Sequence, residues 1–240
     1  MRAQKQAPAA GHTRPRSPAP TSEAVEDYAK AIYALAHRSG GPVGTSELAE
    51  RLAVTPATAT AMLKRLADRG LVRYQPYKGA TLTPEGERVA LEVIRHHRLI
   101  EAFLAEALEM PWDRVHAEAE VLEHHISEDL EARIAARLGE PTHDPHGDPI
   151  PGPDLEPPSE AETRPLAELG PGEAGVFSRV SDSDPAMLRY LSERGLGPGV
   201  EFLVTGRQPF QGPLLVEVGG VEHALGHELV RRIRVSEARR

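Results

Sequence analysis

The 240-residue chain is predicted to be mainly α-helical, with a helix–turn–helix unit and a hairpin near its start and a small β-rich module at its end. Three observations predict this. Apolar residues recur at helical spacing from Val25 to Leu138; a tight turn and a hairpin interrupt that pattern between Ser46 and Thr83; and after Leu166 short β-like runs alternate with Gly and Pro turns.

Residues 1–22 are basic, rich in Ala, Pro and Ser/Thr, and read as a disordered tail. Thr21-Ser22-Glu23 carries helix-start chemistry, after which Val25, Tyr28, Ala29, Ile32, Tyr33 and Leu35 mark the first helix, ended by Gly40-Gly41-Pro42. Thr45-Ser46 begins a second helix and Thr55-Pro56 a third, whose buried face is Ala59, Met62, Leu63 and Leu66. Leu71–Tyr74 and Ala80–Thr83 read as strands around Pro76-Tyr77-Lys78-Gly79. A helix from Pro84 to about Met110 and another from about Asp113 to Leu138 follow, then a proline-rich linker at 141–165. Beyond it, Ala174–Val180, Val200–Thr205, Leu214–Val218 and Val230–Val235 read as strands, with a short helix at Ala186–Glu193. The expected divisions are therefore 1–22, 23–95, 96–140, 141–165 and 166–238.

No apolar run approaches the ~20 residues of a bilayer span, and no apolar stretch follows the basic start, so a secretory signal is not expected. The absence of cysteine excludes disulfides, thiolate metal sites and a Cys nucleophile. The net charge of −8 is uneven. The tail and the helix–turn–helix segment are together net basic, whereas 96–140 and the linker carry nearly all of the net negative charge. Five of the eleven histidines, His96, His97, His116, His124 and His125, lie between residues 96 and 125. Carboxylates with imidazoles suit a hard or borderline divalent cation; a solvated acidic helix face is the alternative.

Helix, tight turn, helix and hairpin make a winged helix–turn–helix, whose second helix enters a major groove. Its outward face offers Thr55, Pro56, Ala57, Thr58, Thr60 and Ala61, small enough for close approach to base edges. Lys64, Arg65, Arg69, Arg73 and Lys78 would contact phosphate. A packing unit without a DNA role is the competing reading. On a helix at ~100° per residue, His116, Glu120, Glu123 and His124 share an arc of about 100°, with His125 opposite. His97 and Glu101, at i and i+4, share a face of the preceding helix. No Gly-x-Ser-x-Gly, Walker loop or His-Glu-x-x-His is present, and no enzyme is expected.

Further stretches are Glu26-Asp27-Tyr28-x-x-x-Ile32-Tyr33-x-Leu35, Thr83-Pro84-x-Gly86 and His97-Arg98-Leu99-x-Glu101. To these are added Val115-His116-x-Glu118-Ala119-Glu120-x-x-Glu123-His124-x-x-Ser127 and Pro145-His146-Gly147-x-Pro149-Ile150-Pro151-Gly152. In this order they resemble the diphtheria-toxin-repressor family of metal-dependent transcriptional regulators, over about residues 23–238. The resemblance implies a winged helix–turn–helix, a helical dimerisation domain and a C-terminal SH3-like small β-barrel. It assigns Asp27, Glu120, Glu123 and His124 to a primary, activating metal site, and His97, Glu101 and His116 to an ancillary one. Asp182 and Asp184 are the nearest candidates for a ligand from the SH3-like part. Iron-type members place sulfur where Asp27 and Glu120 stand, so two carboxylates favour Mn²⁺, with Fe²⁺ the alternative. Short manganese-type members have a glutamate where this chain has Lys30, and a cation there disfavours a closely spaced second ion.

The resemblance thus implies a cytoplasmic homodimer that binds a palindromic double-stranded operator when metal is bound and represses metal-uptake genes, with no membrane or small-molecule substrate. Leu99, Ile100, Phe103, Leu104 and Leu108 are expected to supply the dimer surface. The alternatives are a metal-independent winged-helix repressor and a metal-uptake or storage accessory protein that does not bind DNA.

Overall fold

Capping residues and glycines place the first helices. The computed structural model describes residues 22–158 and 162–237, so the basic tail, Ser22 apart, lies outside the described residues. Helix α1 (Glu23–Ser39) buries Val25, Tyr28, Ala29, Ile32 and Leu35, and closes where Gly40, at φ 70°, donates its N–H to Ala36 O. Helix α2 (Thr45–Arg51) turns through Leu52–Thr55 into α3 (Pro56–Asp68), where Thr55 Oγ1 accepts from Thr58 N. Strands β1 (Val72–Gln75) and β2 (Gly79–Leu82) pair with Gln75 opposite Gly79, leaving Pro76-Tyr77-Lys78 as the tip of a wing. Ile32, Leu48, Leu63 and Leu66 are fully buried at the centre of this unit.

Helix α4 (Pro84–Leu108) starts on Thr83, whose Oγ1 accepts from Gly86 N. A Cβ on Gly86 would lie 1.9 Å from Leu71 O, so the Thr-Pro-x-Gly motif lets this helix seat against the wing. Its first turns complete the winged core through Val89 and Ala90; its later ones carry Leu99, Ile100 and Leu104. One continuous helix therefore crosses residue 95. Leu99, Ile100 and Leu104 are buried within the chain, contrary to the expectation that they form a dimer surface. The exposed apolar side chains here are Leu108, Val121, Leu122 and Leu130.

The single helix expected from Asp113 to Leu138 is two. Helix α5 (Trp112–Leu122) ends in a turn at Glu123–His125, and α6 (Glu128–Arg137) begins on Ser127, whose Oγ accepts from Leu130 N. Glu128, Asp129 and Glu131 in the first turn of α6 favour a new N-terminus at that point.

The proline-rich stretch begins as packed structure rather than as an open linker. Asp144 Oδ1 accepts from the N–H groups of His146 and Asp148, closing a loop bridged at His143 and Pro149. Arg95 and Arg98 donate to the carbonyls of Pro151 and Pro149. Asp144, His146, Asp148, Ile150 and Leu155 are buried.

The C-terminal module is a six-stranded antiparallel sheet of order β3-β8-β4-β5-β6-β7. It comprises β3 (Arg164–Pro165), β4 (Ala174–Val180), α7 (Pro185–Ser192), β5 (Glu201–Arg207), β6 (Leu214–Val218), β7 (Val221–Leu225), α8 (His227–Arg231) and β8 (Ile233–Ser236). The strand expected at Val230–Val235 divides into the end of α8 and the start of β8. Strand β7 was not expected; its signal is Gly219-Gly220, both at positive φ, a two-residue hairpin turn. The module docks on the helical part. Trp112 Nε1 donates to Leu188 O at 3.1 Å, Arg189 pairs with Asp113 at 3.0 Å, and Val180 N donates to His146 O at 2.9 Å.

Candidate metal centre and nucleic-acid interface

The predicted ligands form overlapping clusters running from α1 to the C-terminal module. In the first, Asp27 of α1 meets Glu123 and His124 of the turn after α5, their ligand atoms within 4.8 Å of one another. The helix break makes this possible: Glu123 turns inward, with its side chain fully buried, while His124 reaches α1. Glu26 accepts from His124 Nδ1 at 2.6 Å, leaving Nε2 3.0 Å from Asp27 Oδ1. An imidazole held this way presents one nitrogen to an ion. His125, 62% exposed, faces Glu23 and joins no cluster among the described residues.

Glu120, expected beside Asp27, falls instead in a second cluster with His97 and Glu123. Lys30 Nζ donates to Glu120 Oε1 at 2.7 Å and to both oxygens of Glu123. The third cluster is His97, Glu101, His116 and Asp182. His97 Nε2 lies 3.0 Å from Glu101 Oε1 and 3.1 Å from His116 Nδ1, which is 3.2 Å from Asp182 Oδ2. Asp182 thus faces the cluster, whereas Asp184 caps α7, accepting from Ala186 and Met187 N.

The fourth cluster, Glu101 with Asp144 and His146, was not anticipated. Glu101 Oε2 and His146 Nδ1 face each other at 3.6 Å; both are buried and neither has a hydrogen-bond partner. His146 lies in the Pro145-His146-Gly147 stretch, but nothing local marks it as buried on Glu101. Arg95 and His96 both bond Glu131, and His96 Nδ1 also meets Glu123 O, so this buried triad fixes the Glu123 turn.

Electrostatics follow from this crowding. Burial would lower His97, but Glu101 and Glu123 outweigh it and raise its pKa to about 9. His146 also rises to about 9, burial being outweighed by Glu101 and Asp144. Burial would raise Glu101, but His116, His146 and His97 hold it far below the carboxylate range. Asp27 is raised by burial, with Glu123 and Glu120 adding to it against His124 and Lys30. The donors are all oxygen and nitrogen and include buried unpartnered ones, which fits Mn²⁺ or Fe²⁺.

At the other end of the winged unit, Thr55, Pro56, Ala57, Thr58, Ala61, Lys64, Arg65 and Lys78 are exposed and Thr60 is half-buried. Thr60 Oγ1 donates to Pro56 O, and the hydroxyls of Thr55 and Thr58 bond each other, so this face presents mainly methyl groups. A groove of about 590 Å³ runs between α3 and the wing, lined by Ser46, Pro56, Thr60, Lys64, Tyr77 and Lys78 among others.

Comparison with known proteins agrees with this arrangement. Residues 20–80 match the N-terminal DNA binding domain of iron dependent repressors, 83–152 their metal binding and dimerisation domain, and 164–237 the FeoA domain. The chain is 31% identical over 228 residues to the iron-dependent repressor IdeR of Mycobacterium leprae, covering 90% of this chain and 97% of that protein. It is 29% identical over 224 residues to the diphtheria toxin repressor of Corynebacterium efficiens, covering 90% and 96%. A manganese-dependent transcriptional repressor solved in complex with manganese superposes with a TM-score of 0.82 at 40% identity, covering 89% of this chain and all of that one. ScaR with bound Zn²⁺ superposes at 0.74 with 31% identity, covering 89% and 99%. Four ligand-type clusters beneath a winged helix–turn–helix, and relatives matched along nearly their whole length, lead to one conclusion: the chain belongs to the iron-dependent repressor family of metal-dependent, DNA-binding transcriptional repressors.

Proposed function

We propose that this protein is a cytoplasmic, homodimeric repressor of metal-uptake genes, gated by Mn²⁺ or Fe²⁺, with no catalytic activity of its own. The observation that carries this reading is the meeting of Asp27 from the winged unit with Glu123 and His124 from the helical part. Asp27, Glu123 and His124, joined by Glu120, would hold the activating ion. His97, Glu101, His116 and Asp182 would hold the ancillary one, with Asp144 and His146 beside Glu101. A bound divalent cation supplies the positive charge that these carboxylates lack. Asp27 and Glu123 then fix α1, and with it α3, relative to the helical core. The metal need only favour this arrangement differentially, and operator DNA must tighten metal binding in return. The exposed Leu108, Val121, Leu122 and Leu130 offer an apolar surface to a second copy, and paired α3 helices would then read matched half-sites.

The test is a gel-shift titration of operator DNA with and without MnCl₂. Binding that ignores Mn²⁺ would favour the metal-independent repressor, and Mn²⁺ uptake without any shift the accessory protein. Replacing both Thr60 and Lys64 by alanine is expected to weaken DNA binding and to lower the salt slope by about one unit, the share of one phosphate contact. An unchanged slope and affinity would remove α3 from the interface.

Metal uptake is expected to release protons. His97 is protonated below about pH 9 in the metal-free chain and must lose that proton to bind an ion. Affinity at the pocket containing His97 therefore rises with pH through the neutral range, by up to about tenfold per unit. The same raised pKa stabilises the metal-free fold fully below the unfolded value near 6.5, and that contribution is lost as pH passes 9. Calorimetry in two buffers of different ionisation enthalpy checks the proton count; identical heats would contradict it.

A further inference from the structure

Lys30 stands where the first and second clusters join. Its ammonium donates to Glu120 Oε1 at 2.7 Å and to Glu123 Oε1 and Oε2 at 3.0 and 2.8 Å, and lies 3.1 Å from His97 Nδ1. Its side chain is 19% exposed. The two carboxylates lie on α5 and in the turn after it, so the ammonium ties α1 to both, whereas His97 Nδ1, engaged with Glu123, faces it as a like charge. An ammonium has three protons to give, and these carboxylate oxygens are the ones a cation beside Asp27 and His124 would need.

We propose that Lys30 is an internal competitor for the metal pocket. In the metal-free chain it ties α1 to Glu120 and Glu123, and it gives up those oxygens when a divalent cation takes them. Glu120 accordingly sits on Lys30 in a different cluster from Asp27. Lys30 thus sets the metal concentration at which the switch turns, by occupying ligand lone pairs and by repelling a second positive charge. Two opposing effects follow. Lys30 stabilises the empty protein, because it compensates a fully buried carboxylate, and for the same reason it weakens metal binding. A purely structural lysine would do only the first.

This inference rests on the metal reading above, and the experiment separates the two. Mn²⁺ is titrated calorimetrically into the full chain carrying Lys30→Met, which keeps the apolar stem, and Lys30→Arg, which keeps the charge; metal-free melting is measured alongside. Lys30→Met is expected to bind Mn²⁺ about tenfold more tightly or better and to melt lower without metal, while Lys30→Arg stays within about threefold of the parent. Should Lys30→Met fail to fold, Lys30→Gln, neutral but still a donor, is read in the same way. Equal or weaker Mn²⁺ binding by the neutral variant would overturn the role of Lys30 while leaving the metal reading intact. A parent chain that takes up neither Mn²⁺ nor, titrated anaerobically in the same way, Fe²⁺ would overturn both.

Discussion

Glu123→Gln is expected to abolish metal-stimulated operator binding, raising the Mn²⁺ needed by about a hundredfold or more, while the chain still folds. Glu123 belongs to two clusters at once and its side chain is fully buried. It faces Lys30, His97 and His124, each within reach of one of its oxygens. The amide keeps the volume and one acceptor oxygen, so packing survives, but the negative charge that a cation between α1 and the α5 turn requires is gone. Lys30 retains Glu120 as a partner, which limits the loss of metal-free stability to about 3 kcal/mol or less. The change is measured by gel shift against Mn²⁺ concentration, with thermal melting of the empty protein alongside. Full Mn²⁺ stimulation by the variant would remove Glu123 from the switch.

Gly147→Ala is expected to release the C-terminal module from the helical part. Gly147 adopts φ +87°, and a Cβ there would lie 1.9 Å from Ser178 O and 3.0 Å from Arg179 Cα. Both obstacles are backbone of β4, so no rotamer change relieves them. Strain and overlap together cost about 2–4 kcal/mol, and parting at this contact is the least costly relief. Asp182 would then leave His116, so the third cluster would lose its one member from the module. Faster protease cleavage between residues 153 and 158 and weaker uptake of a second Mn²⁺ are the measurable results. Unchanged protease resistance would show that the β4 contact yields without cost.

Much of this arrangement was legible along the chain. Thr55-Pro56, Thr83-Pro84 and Gly40 set helix ends through bonds to residues three or four positions away, so short-range chemistry was enough to place them. The break at Glu123–Ser127 was legible too, in Ser127-Glu128-Asp129, but helical periodicity on either side masked it. Reading Leu99, Ile100 and Leu104 as an outer surface failed for a different reason. An apolar stripe reports that a face is covered, not whether its own chain or another copy covers it.

The sequence alone pointed to a winged helix–turn–helix and to a cysteine-free chain rich in acid and histidine through its middle, with most of the side chains that later cluster, Asp144 and His146 excepted. Those features depend on residue type and on neighbours within one helical turn. Which of these side chains stand together, and what lies between them, depends on packing. His124 meets Glu26 across 98 positions, Lys30 meets Glu123 across 93, and Asp182, not Asp184, turns toward His116. Such meetings depend on how α1 and α5 pack on α4 and how the C-terminal module docks on α5 and the loop around His146, a long-range arrangement that no local spacing encodes.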